Sequence, residues 1–240
     1  MVLLLAPAVA LAAWPDGTEW TRQAEVTGLA RVVRRGVVLA DEVVRPAFWF
    51  ASESLKMGAW LDLPLQTARE REFAFTARYS RTFEGGAALA LGAAYFNRRN
   101  SPAGYPEDAP ELTLTVAQPA GPGRVEGVYT RDMRRRADIG ELAYSGDWAL
   151  KSLGAFLNYR FYLGTARARE VLSGGSGPAA ADSYAYHGAD LTLPYRIGGA
   201  TVLTVGLHFA GTRGQRPHWS PIAIRPGGKL WFTLAATREF

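Results

Sequence analysis

The chain has 240 residues, of which 48% are hydrophobic and 12% aromatic, with 26 glycines, 14 prolines and no cysteine, so disulfides, thiolate metal sites and cysteine nucleophiles are excluded. A formal net charge of +5, with arginines dispersed along the chain, lacks the dense basic stripe of a nucleic-acid-binding face. Beyond the N-terminus no uncharged apolar stretch reaches the roughly 20 residues of a membrane-spanning helix, so any insertion into a bilayer must be by strands.

Met1 to Ala13 is an apolar run with overlapping small-x-small triplets, Ala8-Val9-Ala10 and Ala10-Leu11-Ala12, the pattern that signal peptidase cleaves. It predicts a signal peptide over 1–13 and a single domain over 14–240. No basic n-region precedes the run, which places the true start codon upstream as an open alternative.

The remaining chain falls into segments of about ten residues with period-two alternation, separated by turn residues. In chain order they are Trp20 to Val33, Val43 to Phe50, Leu55 to Leu63, Glu72 to Phe83, Ala87 to Phe96 and Pro110 to Ala117. Then follow Val125 to Arg131, Ile139 to Tyr144, Leu153 to Leu163, Ser183 to Tyr195, Thr201 to Gly211 and Lys229 to Phe240. In the fourth, Phe73, Phe75, Ala77 and Tyr79 share one face and Thr76, Arg78 and Ser80 the other. Gly85-Gly86 then predicts a tight hairpin. The fifth sets Leu89, Leu91, Ala93 and Tyr95 against Ala88, Ala90, Gly92 and Ala94. The expected fold is all-β, an antiparallel up-and-down transmembrane barrel of about twelve strands, with ten and fourteen as alternatives. The Pro/Gly/Ser-rich stretches Asn97 to Pro110, Thr165 to Asp182 and Thr212 to Gly228 are the expected long external loops.

A soluble barrel would show the same alternation but needs a charged outer face. Here the polar sides of several strands are mostly Ala, Gly and Thr, which suits a lumen. Tyr79, Phe83, Tyr95, Tyr159 and Tyr195 lie near strand ends, where aromatic rings settle at lipid headgroups. The last segment alternates Leu230, Phe232, Leu234 and Ala236 and stops on Phe240. It is similar to the C-terminal strand that outer-membrane proteins present to the barrel-assembly machinery, with Arg238 as a departure.

The first half carries Arg35-Gly36-Val37, Pro46-Ala47, Gly58-Ala59-Trp60, Leu91-Gly92-Ala93-Ala94-Tyr95, Tyr105-Pro106 and Glu111-Leu112. Over roughly Val26 to Val116 it resembles the TorF-like family of outer-membrane porins. That resemblance implies a twelve-stranded barrel in the bacterial outer membrane, and no catalytic residues.

The expected function is an outer-membrane porin-like channel for small polar solutes, with side chains inside the barrel setting selectivity. By alternation the lumen candidates are Glu25, Arg31, Lys56, Asp62, Arg78, Asn158, Arg160 and His208. The basic members outnumber the acidic ones and predict an anion preference, carried above all by Arg78 and Arg160. Expected partners are outer-membrane lipids and lipopolysaccharide, and Arg131 to Arg136 could meet the phosphates of the latter. No cofactor and no metal is expected. Two other readings stay open: a lipid-modifying or hydrolytic enzyme, and a plugged structural or adhesive barrel. For the enzyme, His187, His208, His218, Asp190, Ser173 and Ser183 are present without diagnostic spacing or a nucleophile elbow. His187 and Asp190 should face opposite sides of one strand. Gly174 to Gly177 lacks the Lys-Ser/Thr of a phosphate cradle and reads as a loop tip.

Overall fold

In the computed structural model the described residues are 19–35, 37–66, 71–99, 108–134, 136–168, 182–214 and 228–240. The expected signal peptide, the glycine-rich loop tip, His218 and most of the three long loops lie outside them. Among the described residues are twelve strands: β1 (Thr21–Arg34), β2 (Val37–Ala51), β3 (Leu55–Pro64), β4 (Arg71–Thr82), β5 (Ala88–Arg99), β6 (Asp108–Ala120), β7 (Gly123–Asp132), β8 (Ala137–Leu150), β9 (Ala155–Ala168), β10 (Asp182–Gly198), β11 (Thr201–Gly214) and β12 (Lys229–Glu239). Each pairs antiparallel with its sequence neighbours, and β12 returns to β1 to close the barrel.

Closure removes the sheet edges, so every strand is hydrogen-bonded on both sides, which a hydrocarbon environment demands. The C-terminus is tied in as well: Phe240 N–H donates to the Arg22 carbonyl at 3.0 Å. Five short turns, at 52–54, 83–87, 121–122, 151–154 and 199–200, join strands at the end where the sheet also begins and finishes. The turn at 83–87 uses φ of 86° at Gly85 and 82° at Gly86, which side chains with a Cβ rarely adopt. The other six connections join strands at the opposite end, called here the loop end.

The registers sort side chains into two faces. Outward are Val26, Phe48, Phe73, Phe75, Leu91, Leu112, Leu114, Val116, Leu142, Phe161, Leu163, Val205, Phe232 and Leu234, all large apolar groups exposed on the barrel surface. Tyr79, Phe83, Tyr95 and Tyr195 are exposed on this face too, together with Trp148. Among the described residues, outward charges occur only towards strand ends, such as Arg22, Arg81 and Arg238 at the short-turn end, and Arg71, Asp108, Arg131, Asp138, Arg167 and Arg213 at the loop end. An apolar belt bounded by charge is the surface a lipid bilayer solvates. Arg238 stands over the Phe240 ring, 5.6 Å from its centre, at the rim where a long basic side chain can reach water.

Several boundaries differ from the sequence expectation, the largest at β2, which starts at Val37 and not at Val43, and strands β9 and β11 run on to Ala168 and Gly214 into the expected loops. Strand β8 runs to Leu150 where the pattern predicted an end at Tyr144, because pairing with β9 carries it through Ser145-Gly146-Asp147. Strand β9 starts at Ala155, and Leu153 belongs to a 3₁₀ turn over Lys151–Leu153.

Candidate functional site

The interior is the candidate site, and it is built by the residues that alternate with the lipid belt. Glu25, Lys56, Asp62, Arg78, Asn158, Arg160 and His208 all share the inner face. Arg31 sits where regular alternation stops, and its Nε donates to Asp41 at 3.0 Å. The structure does not gather the eight into one ring. Asp62 is taken by Arg45, whose Nη2 donates to its Oδ2 at 2.9 Å. Glu25 accepts from Thr27 at 2.8 Å. Arg160 pairs with Glu141 and lies 3.9 Å from Asp190. Among the described residues, Lys56 and Arg78 have no carboxylate partner.

The largest feature inside was not visible in the sequence. The β1–β2 hairpin does not continue the barrel wall but bends across the lumen. Its bend coincides with a register shift between Val32 and Val33 and with a left-handed backbone at Glu42, φ 50°. Either device kinks a two-stranded ladder. Beyond the bend, Arg34 pairs with Glu72 of β4 and lies 3.9 Å from the centre of the Phe96 ring on β5. Arg35 reaches Glu111 of β6 with both guanidinium nitrogens, at 3.0 and 2.6 Å. Leu39 packs against Ala137, Ile139, Ala166, Tyr184 and Tyr186 on β8, β9 and β10. Because β1 and β2 neighbour only β12 and β3 in the sheet, these contacts require the hairpin to cross the interior.

Val32, Ala40 and Val43 bury one another at the bend, with Leu29 and Leu39 packed against them. The ion pairs are deep: the Glu111 side chain is 5% exposed and that of Arg35 17%. Burial disfavours the Arg35 charge, but Glu111, joined by Tyr184 and Tyr186, holds the guanidinium pKa above its ordinary value. A two-pronged Arg–carboxylate contact also fixes orientation, so the hairpin tip is held in one place.

On the facing wall a polar chain runs across five strands. Thr233 Oγ1 lies 2.9 Å from His208 Nε2, and His208 Nδ1 lies 2.8 Å from Asp190 Oδ1. Asp190 neighbours Arg160, Arg160 pairs with Glu141, and Tyr186 Oη donates to Glu141 at 2.9 Å. His208 also stacks on Trp231, with ring centres 5.3 Å apart. As the strand alternation predicts, His187 faces outward beside Phe209, on the opposite side of β10 from Asp190. The partnership with His208 arises only through the β10–β11 register.

Hydroxyl, imidazole and carboxylate in this order are the parts of a hydrolase relay. What such a relay also needs is an oxyanion hole of free donors. Here Thr233 is registered with Gly206 on one side and Leu29 on the other, and His208 with Asp190 and Trp231, so the backbone at both is built into the sheet, whereas 229–232 of β12 pair with β11 alone. Small residues let the wall stay thin: a Cβ on Gly188 would fall 2.3 Å from the Tyr162 ring, and one on Gly164 equally close to that of Tyr186. Both tyrosines therefore lie flat against the sheet. Among the described residues no group of three or more His, Asp or Glu side chains could hold a metal ion.

No protein-family model matches the chain, and no curated protein matches it. Solved structures do. OccAB3 of Acinetobacter baumannii is similar with a TM-score of 0.46 at 9% identity, over 94% of this chain and 66% of that one. An anion-selective porin from Comamonas acidovorans is similar with a TM-score of 0.37 at 9% identity, over 93% and 99%. OmpT of Vibrio cholerae gives 0.38 at 9%, over 93% and 97%. The chain thus spans just under two thirds of OccAB3. The likeness to these proteins is one of general architecture.

Proposed function

We propose that this protein is an outer-membrane channel for small polar solutes, narrowed by its own first hairpin and biased towards anions. One observation carries the reading: the closed sheet puts an apolar belt outside and charged groups inside, with the β1–β2 hairpin spanning the lumen. A passage so narrowed favours small solutes. The anion bias follows from Lys56 and Arg78, which among the described residues lack acidic partners, while most inner carboxylates there have basic or hydroxyl ones. This reading agrees with what the TorF-like resemblance implies, and assigns no catalytic residue.

The outer membrane is the proposed location, with insertion through the terminal strand ending at Phe240. Arg71, Arg167 and Arg213, exposed outward at the loop end, suit lipopolysaccharide phosphates as lipid partners.

The bolted hairpin also favours a second reading, a plugged barrel. Swelling of vesicles that contain the refolded protein separates them. The channel predicts entry of small anions and exclusion of large sugars. Vesicles that stay tight with the wild type, and leak only when the hairpin tip over 34–39 is deleted, would establish the plug.

A further inference from the structure

Strand pairing sets Lys56 of β3 directly opposite Arg78 of β4 on the inner face, and both side chains are exposed to the lumen. Like charges directly across a strand pair destabilise a sheet. Elsewhere inside this barrel buried charges are matched: Arg34 with Glu72, Arg35 with Glu111, Arg45 with Asp62 and Arg160 with Glu141. The Lys56–Arg78 pair differs: two cations face each other, and among the described residues neither has a carboxylate partner.

The next inner positions along the wall are small. Arg78 is registered with Gly92 of β5, and Ala90 and Ala94 flank that glycine on the same face. On the other side Lys56 Nζ lies 4.8 Å from the Trp49 ring centre, which fixes the stem of the lysine and leaves N–H donors for a ligand. Thr76 and Ser80, two residues either side of Arg78, put hydroxyl donors on the same face. The result is two cations and two hydroxyls beside a cleared wall, towards the short-turn end.

We propose that Lys56 and Arg78 form a saturable binding site for a small oxyanion, a phosphate or a carboxylate. The guanidinium fork matches the oxygens of such a group, and the ammonium supplies a second charge. The ligand relieves the repulsion, so unfavourable pairing in the empty barrel becomes affinity in the occupied one. This deepens the proposed anion preference by turning a general field into a discrete site, and it rests on that reading only for its role in transport.

The test is calorimetric titration of refolded protein in detergent with inorganic phosphate at low salt. Saturable binding is expected, with affinity falling tenfold or more in Lys56→Gln and in Arg78→Gln, and retained within about threefold in Lys56→Arg. Arg196→Gln removes the same charge from another inner position, at the short-turn end, and should leave affinity within about twofold. Neither glutamine variant should melt below the wild type in phosphate-free buffer, since each removes a repulsion. Absence of saturable binding would overturn the proposal. So would equal losses in Arg196→Gln, which would reveal a diffuse lumen potential. If phosphate binds at this site but vesicles stay impermeable, the site stands and the channel reading falls. If vesicles pass anions without saturable binding, the reverse holds.

Discussion

The two halves of the lumen are built on opposite principles. Towards the loop end, Glu72, Glu111 and Asp62 each meet an arginine, and the hairpin carrying two of those arginines is clamped to the far wall. Towards the short-turn end the wall is Ala90, Gly92 and Ala117 beside the unmatched Lys56 and Arg78. Charge holds shape in the first half; in the second Arg124 pairs with Glu126, while Lys56 and Arg78 are left available. The comparison teaches that an excess of inner basic residues is no measure of selectivity, because Arg34, Arg35, Arg45 and Arg160 are neutralised where they stand.

Breaking the clamp should give the largest effect. Arg35→Ala leaves Glu111 buried without its cation, and truncating one partner of a buried pair costs about 3–5 kcal/mol. The barrel should respond by releasing the hairpin, seen as a lower urea midpoint and as increased vesicle permeability. The double variant Arg35→Ala with Glu111→Ala removes the buried carboxylate as well and should recover part of the stability while staying permeable. Full stability of Arg35→Ala would mean that the hairpin is held by Leu39 and its apolar neighbours alone.

The boundary between both halves and the bilayer gives the next largest effect. Val205 is 49% exposed on the outward face of β11, and Val205→Arg should cost about 2–4 kcal/mol in lipid. Thr204→Arg, on the inner face, should cost less. Refolding titrations into vesicles measure both, and equal losses would show that β11 is not lipid-facing at this point.

Much of this architecture was legible in the sequence, and the reason is local. Alternation between Phe73-Phe75-Ala77-Tyr79 and Thr76-Arg78-Ser80 needs nothing but the pleat, and Gly85-Gly86 announces its own turn. Strand β2 was harder. Its first residues, Val37 to Glu42, do not alternate as a lipid-facing strand does, since they belong to the segment that leaves the wall. The clamp was not legible at all: Arg35 in a turn looks like a solvated charge, and Glu111 stands 76 residues away. His208 and Asp190 were both noticed, but only the register of two strands makes them neighbours across 18 residues. Sequence periodicity assigns a face, and pairing of charges on that face needs the closed sheet.

Ion selectivity is the smallest effect in energy and the sharpest test of the contrast between the halves. A tenfold preference between ions corresponds to about 1.4 kcal/mol. Arg78 and Arg160 share the inner face, so alternation alone makes them equal contributors to an anion preference. The structure makes them unequal, because Arg160 stands between Glu141 and Asp190 while Arg78 faces Lys56. Removing a matched pair, Arg160→Gln with Glu141→Gln, leaves the net charge of the lumen unchanged and should leave the reversal potential in a salt gradient close to that of the wild type. Arg78→Glu changes the local charge by two where nothing compensates it, and should shift that potential towards cation preference. Raising salt from 0.1 to 1 M shortens the reach of a fixed charge from about 10 to 3 Å, so the Arg78→Glu shift should shrink with it. Equal shifts from the two variants would place the selectivity of the pore in its average charge and dissolve the distinction between a clamped half and an available one.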